Sequence, residues 1–443
     1  MRKRWSGADF MGIHLVFQEV RMKRIGAFFL SFLVSSFAMA VDSEFLGYLR
    51  GGTGLNLEGG LQECFFNAGI PSNFMRLGNE CGFYSELGIN FHHKRIGVGD
   101  PTFFKTSTRY VFQSKGRRQW EDASTRDSQQ LEAFVSAGGF ADLPGNLWLG
   151  KRFYRDVDLH IFDWYYYGDM SGIGAGLENI AMKGGKFSVA HLIQVNDSVT
   201  TNVGRPVLQA IDLRWHEVPS IWDQKLNLWG VAAWAPSSSD TTTQYSATQG
   251  ISVASRVQGP LKEGNNNFTL MYGRGAMKDF NIYSTAALAQ KDEKRNNAWT
   301  IRAIEEWHRD VTAKWGVMLG AAVDFANSGE ATNNSRSWQE IGIRPIYYVS
   351  DRFQWVFEAG FSRIKNEAEL VNGSPVGDRE LTRLSVSSQV SMSRSIWGRP
   401  VLRAFLAHTM WNGANQQYVG LEAPTFRDKM AGTAFGYQFE AWF

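Results

Sequence analysis

The stretch FGYQFEAWF, residues 435–443, places Phe435, Tyr437, Phe439, Ala441 and Phe443 on one side of an extended chain and Gly436, Gln438, Glu440 and Trp442 on the other. The same period of two recurs elsewhere. In FYSELGINF, residues 83–91, Phe83, Leu87, Ile89 and Phe91 oppose Tyr84, Glu86, Gly88 and Asn90. In KWGVMLGAAVDFA, residues 314–326, Trp315, Val317, Leu319, Ala321, Val323 and Phe325 line up. FQWVFEAGF, residues 353–361, aligns Phe353, Trp355, Phe357, Ala359 and Phe361. Soluble sheets alternate too. Here, however, the apolar face carries large rings to the strand ends, and the opposite face mixes polar residues with glycine, as a wet interior requires.

No apolar run after residue 40 approaches the roughly 20 residues of a membrane helix. The other way across a bilayer is a closed barrel, because lipid offers no partner to an open sheet edge. The expected fold is therefore all-β, a transmembrane antiparallel β-barrel. Residues 41–443 accommodate about eighteen strand-plus-connection units of roughly 22 residues each, and sixteen or twenty would also fit. Polar segments at 236–249, 290–297, 327–337 and 364–380 read as long loops.

The start of the chain reads as an address. Met22-Lys23-Arg24, an apolar stretch and Ala38-Met39-Ala40 together predict a secretory signal peptide over 22–40, preceded by an extension of doubtful translation over 1–21. The barrel then occupies 41–443. The whole chain has 46 Lys/Arg and 43 Asp/Glu, and residues 1–40 hold six of the former and two of the latter. The remainder is close to neutral, with no basic excess for nucleic acid. Cys64 and Cys81 are the only cysteines. In an exported chain they form one loop-closing disulfide or remain two buried thiols. The eight histidines are scattered, without metal-ligand spacing, and no Ser-centred elbow is present. An enzyme of this architecture would need a nucleophile beside a positioned base. No cofactor or metal is implied.

If the apolar face meets lipid, several aromatics turn inward. Trp442 shares a face with Glu440, Tyr84 with Glu86, and Tyr48 with Glu44 and Arg50. Trp397 has the parity of Arg399 and Arg403. Such rings are either girdle residues and gap fillers, or a track for sugar, whose pyranose faces stack on flat rings while charged groups bond the hydroxyl rim. Four rings beside charges favour sugar. The stretch FDWYYYGDMSG, residues 162–172, fits a segment folded into the lumen. Tyr165, Tyr166 and Tyr167 would supply bulk there, and Asp163 and Asp169 acceptors.

Over nearly the whole length from residue 41 the chain resembles the maltoporins. The resemblance rests on GYLRGGTG (47–54), RLGNECGFYSEL (76–87), GKRFY (150–154), DLHIFDWYYYGDMSGIGAGLENI (158–180), GIRPIYY (342–348), SIWGRPVLR (395–403) and QFEAWF (438–443). It implies an eighteen-stranded barrel in the outer membrane of a Gram-negative bacterium, a homotrimer, and a third loop folded inward as the constriction. It also implies an aromatic slide for maltose, maltodextrins or related oligosaccharides. The slide falls on Tyr48, Tyr84, Trp397 and Trp442, with Trp120 contributed by a neighbouring subunit. The constriction falls on Tyr165, Asp163 and Asp169, and the polar track on Arg50, Arg76, Glu86 and either Arg155 or Asp156. Cys64 and Cys81 match a first-loop disulfide. Where this sequence departs, Gly168 is an added residue, Leu131 takes a basic position, and Gly264–Asn267 replace a slide aromatic. A general diffusion porin, or a porin for another oligosaccharide such as sucrose or a β-glucoside, is the alternative. A soluble exported glycan-binding β-protein is a further class.

Overall fold

The computed structural model describes residues 41–70, 74–94, 101–114, 126–155, 158–163, 168–195, 207–239, 244–282, 293–367, 369–371 and 374–443. The chain is an antiparallel meander of long strands. They are β1 (Val41–Asn56), β2 (Phe83–Lys94), β3 (Phe103–Ser114), β4 (Arg126–Gly138), β5 (Asn146–Arg152), β6 (Gly172–Met182), β7 (Gly185–Val195), β8 (Val207–Pro219) and β9 (Lys225–Ala235). The second half continues with β10 (Thr248–Leu261), β11 (Gly264–Gly275), β12 (Trp299–Asp310), β13 (Trp315–Asn327), β14 (Ser335–Tyr348), β15 (Phe353–Asn366), β16 (Arg379–Ser391), β17 (Val401–Trp411) and β18 (Ala431–Trp442). Each strand pairs with its neighbour in sequence, and β18 pairs with β1, so the eighteen-stranded sheet closes. Closure runs from Tyr48 opposite Trp442 to Asn56 opposite Ala434. Phe443 extends it, exchanging backbone hydrogen bonds with Gly47 at 2.8 and 3.1 Å. Closure leaves no ladder edge facing lipid.

The faces sort as the alternation requires. Phe325, Leu149, Ile341 and Leu402 stand on the outside, each more than half exposed, while Asp324, Glu358 and Arg383 on inward positions are buried. Outward rings gather at one rim, where Trp315 meets Tyr347 at 4.9 Å and Phe353 meets Trp355 at 6.1 Å, as an interfacial girdle would. Val41 and Phe443 lie at that rim, where connections are short: residues 183–184 and 262–263 are two-residue turns. The opposite rim carries the long connections 57–82, 153–171, 276–298 and 412–430.

Two of those long loops turn into the barrel. In the first, Cys64 and Cys81 form a disulfide. Phe74 and Met75 are buried between the bridged cysteines in sequence, and Leu159, Ile161 and Phe162 of the third loop are buried too. The inner wall accepts them because Gly320, Gly342 and Gly360 are register partners across β13, β14 and β15. A Cβ on Gly342 would fall 2.6 Å from Met75 Sδ and 3.0 Å from Ile161 Cδ1. The glycines are thus required by close approach. Polar contacts lock the loops further. Glu358 accepts from the Leu77 amide at 3.0 Å, Arg383 donates to the Gly78 carbonyl at 2.6 Å, and Asn67 donates to Ser362 and to the Arg379 carbonyl. Burying Ile161 and Phe162 contributes about 1.5–3 kcal/mol each.

Gly342→Val should overpack this cradle, at a cost of about 1–3 kcal/mol. The expected result is a folded barrel whose third loop is displaced and whose single-channel conductance is larger. An unchanged conductance would mean the loop does not seat there.

Candidate functional site

The inward aromatics form an oblique line. Tyr84 on β2 and Tyr48 on β1 have ring centroids 6.0 Å apart. Tyr48 stands in register with Trp442 on β18. Trp442 lies 6.3 Å from the His160 ring, and His160 lies 5.0 Å from Trp397. Tyr84 borders a cavity of about 310 Å³ at the long-loop end, and Trp397 borders one of about 510 Å³ at the short-turn end. The line of rings therefore joins two hollows inside the barrel. Trp397 arrives there by a route other than strand parity. It lies in the turn before β17, which starts at Val401. Its position is set by its neighbours, with the indole N–H donating to His308 Nε2 at 3.2 Å.

Charged groups flank the rings. Glu440 on β18 receives Arg76 at 2.8 Å, Arg399 at 2.7 Å and Arg403 at 3.2 Å. It also accepts from the Tyr48 hydroxyl at 3.1 Å, which in turn accepts from Arg76 at 2.6 Å. Glu80 bridges Arg76 at 2.7 Å and Arg50 at 2.6 Å. Asp163 reaches Arg50 at 2.8 Å and Arg76 at 3.9 Å. Arg50 also stands 5.4 Å over the Tyr84 ring, and Arg399 stands 4.3 Å over Trp442. Burial by itself would lower the Arg76 pKa, but Glu440, Glu80 and Asp163 outweigh it and raise it well above the ordinary range. For Glu80 burial pushes upward, and Arg76 and Arg50 win, leaving it lowered. Burial outweighs Glu440 at Arg399, whose pKa falls to about 10.

The remaining expected residues divide into groups. Glu86 receives the Tyr84 hydroxyl, Arg109 at 3.3 Å and Arg155 at 3.8 Å. Asp169 forms an antiparallel backbone bridge with Arg155 of that group. Its amide donates to the Phe280 carbonyl at 3.0 Å, and its carbonyl accepts from Ile282, tying the third loop to the segment after β11. Gly168 has φ +152°, and a Cβ there would meet the Trp229 ring at 2.9 Å. The added residue lets the loop lie against that ring. Leu131 is skipped in the β3–β4 register, where Arg109 faces Glu132 and Tyr110 faces Gln130. A bulge thus displaces it, and Arg109 supplies the charge nearby. Asn265, Asn266 and Asn267 line the short-turn cavity with Trp397. Trp120 and Tyr165 lie outside the described residues.

Sequence reasoning missed His160, Arg109, Glu132 and Glu80. His160 is buried with Arg76 at 3.2 Å from Nδ1 and Arg399 at 3.2 Å from Nε2. Burial, reinforced by Arg76, pushes its pKa well below the usual 6.5. A proton added there would face two guanidinium groups. The position within DLHIF (158–162), two residues before the segment assigned to the lumen, is the available signal. Among the described residues no group of three His, Cys, Asp or Glu is arranged to hold a metal.

Glu440→Gln removes the carboxylate shared by three arginines. It should cost about 3–5 kcal/mol, since it leaves buried cations uncompensated. A lower urea midpoint and a reversal potential shifted toward chloride are expected, and an unshifted potential would argue against a hub whose charge is felt in the lumen. His160 sets a pH dependence. Its folded pKa is depressed, so the undocked loop gains a proton below about pH 6.5 that the docked loop refuses, and docking weakens by up to ~1.4 kcal/mol per pH unit. Bilayer currents should become noisier from pH 7 to pH 5, and His160→Gln should flatten that change.

Three solved outer-membrane proteins are similar in shape. OmpT of Vibrio cholerae is 11% identical, with 91% of this chain and 98% of that one covered and a TM-score of 0.44. OpdK of Pseudomonas aeruginosa is 9% identical, with 91% and 99% covered and a TM-score of 0.45. OccAB4 of Acinetobacter baumannii is 10% identical, with 91% and 98% covered and a TM-score of 0.46. In sequence, the family profile described as LamB porin matches residues 43–443, which is all but the two first residues of the closed barrel. With the closed barrel, the inward loops and that match, the chain belongs to the LamB porin family, whose members are outer-membrane channels.

Proposed function

We propose that the protein passes maltose, maltodextrins or closely related oligosaccharides across the outer membrane by facilitated diffusion. The observation that carries this reading is the oblique line Tyr84, Tyr48, Trp442 and Trp397 between two lumenal hollows, flanked by Arg50, Glu86 and Arg399. A pyranose offers apolar faces to such rings and hydroxyls to the charged groups beside them. Each contact is weak and is followed by another, as transport requires release. Arg76 is too deeply buried to meet a sugar directly, and its part is to hold Tyr48 and Glu440 in place. Tyr165 would narrow the passage, with Asp163 and Asp169 fixing its loop. The working form is a homotrimer in outer-membrane lipid, with Trp120 of one subunit opening the track of the next. Diffusion down a gradient needs no cofactor.

A second reading, a porin for a compact sugar such as sucrose or a β-glucoside, is favoured by one observation. Asn265–Asn267 and Gln258 put amides, rather than a ring, beside Trp397 at the short-turn end. Amides reward hydroxyl patterns and give a long α-glucan no further surface to stack on.

In planar bilayers, maltotriose should block the current at lower concentration than glucose. Tyr84→Ala or Trp442→Ala should weaken that block about tenfold, the size of one lost stacking contact. Stronger block by sucrose than by maltotriose would select the second reading. Absence of saturable block by any sugar would make the protein a general diffusion porin and end this proposal.

A further inference from the structure

The first loop turns one ring away from its neighbours. Phe65 and Asn67 are buried, whereas Phe66 between them is 37% exposed. The Phe65 ring packs on Trp411 and Phe426, each at 5.0 Å. Asn79 holds the Phe65 backbone twice, accepting from its amide and donating to its carbonyl, each at 3.0 Å. Asn67 donates to the Ser362 hydroxyl at 3.1 Å and to the Arg379 carbonyl at 3.0 Å. Cys64 is bridged to Cys81. Phe66 therefore stands on backbone fixed at the residues around it, and its ring is left out of the core.

Phe66 borders the cavity of about 310 Å³ at the long-loop end, which Tyr84 and Arg50 border from the barrel wall. Glu63, Gln113 and Glu422 border it too. They come from the first loop, from β3 and from the helix Gly413–Glu422, so three separate parts of the chain put polar groups around one exposed ring. A carboxylate offers several acceptor positions, and an amide both donates and accepts. A lone exposed phenylalanine needs no explanation. A preordered ring among carboxylates and an amide, in the same hollow as Tyr84, matches the apolar face and hydroxyl rim of one more sugar unit. The opposite wall, β5–β10, differs. Its cavity of about 370 Å³ is lined by Arg152 and Arg214, which stack on Tyr154, and by Arg155, which stacks on Phe153. Each of these guanidinium groups is paired, Arg152 with Glu178, Arg155 with Glu86 and Arg214 with Asp212, so that wall supplies fixed ion pairs.

We propose that Phe66 is a further ring of the sugar path, on the long-loop side of Tyr84. It stacks on a glucosyl unit of chains long enough to lie on Tyr84 and reach beyond it, with Gln113 and Glu422 bonding the hydroxyls of that unit. The inference rests on the aromatic track proposed above and extends it by a residue of the subunit's own first loop. Stacking needs a flat ring, so Phe66→Leu removes it while keeping an apolar side chain, and Phe66→Tyr preserves it. Bilayer block by maltose and by maltoheptaose is compared in the wild-type protein, in both variants and in Tyr84→Ala, each first shown by gel mobility to be a folded barrel. Phe66→Leu should raise the half-blocking concentration of maltoheptaose about fivefold and change that of maltose by less than about twofold. Phe66→Tyr should match the wild-type protein. A displaced first loop would weaken both sugars alike, so equal losses for maltose and maltoheptaose overturn the inference. Unchanged maltoheptaose block in Phe66→Leu, where Tyr84→Ala weakens it, also overturns the inference and leaves the track standing. If Tyr84→Ala has no effect either, the track itself fails and the further ring falls with it.

Discussion

One buried carboxylate organises the interior. Glu440 sits on the last strand, yet its partners come from the first loop through Arg76, from the turn before β17 through Arg399, from β17 itself through Arg403, and from β1 through Tyr48. Taking these charges out of water is costly, and buried pairs often do little better than an apolar substitute. What the arrangement secures is position. Arg399 lies over Trp442, and the Tyr48 hydroxyl is held between Arg76 and Glu440, so the pairs that anchor the first loop also orient two rings. Chain closure makes this coincidence of roles possible, because pairing of β18 with β1 puts Trp442 opposite Tyr48.

A barrel of eighteen strands encloses more space than a selective channel can use. The glycine row Gly320, Gly342 and Gly360 addresses that width. It lowers the inner surface of three adjacent strands, so that Ile161, Phe162 and Met75 pack against backbone. The lumen is thereby divided unequally. The β13–β15 side is filled by apolar loop residues, and the open volume is pushed toward two walls, one bearing the rings and the other the arginines. The disulfide Cys64–Cys81 closes the first loop at its base, which limits how far Met75 and Arg76 can stray when the loop is undocked.

The architecture was legible in the sequence because the bilayer enforces a period of two on both faces at once. Phe435, Tyr437, Trp315 and Phe325 could be assigned to the outside, and Tyr84 and Trp442 to the inside, before any pairing was known. Parity fails wherever the chain leaves a strand or skips register. Trp397 looked like a strand residue and lies in a turn, where contact with His160 and His308 decides its position. The resemblance puts Leu131 at a basic position, and the β-bulge moves it out of the ladder. The His160 environment was hidden for another reason. Its neighbours Arg76, Arg344, Arg399 and Glu440 are far from it in sequence and meet only when two loops dock. The resemblance puts Arg76 on the polar track, and the charges that surround it could not be counted from the sequence alone.

Both lumenal walls work with rigid groups. On one wall the rings are fixed by cross-strand neighbours, and on the other the guanidinium planes are fixed by Tyr154 and Phe153. A passing solute then orders little of the protein, and the entropy of immobilising long side chains, which commonly opposes binding, is mostly absent. Modest contact energies can therefore discriminate between solutes without holding any of them long. A flexible lysine in place of Arg214 would bring a similar charge, but it would lose the two-point contact with Asp212 and the stacking on Tyr154. The glycine cradle, the ion-paired hub and the stacked arginines each keep the lumenal surface in place before a solute arrives.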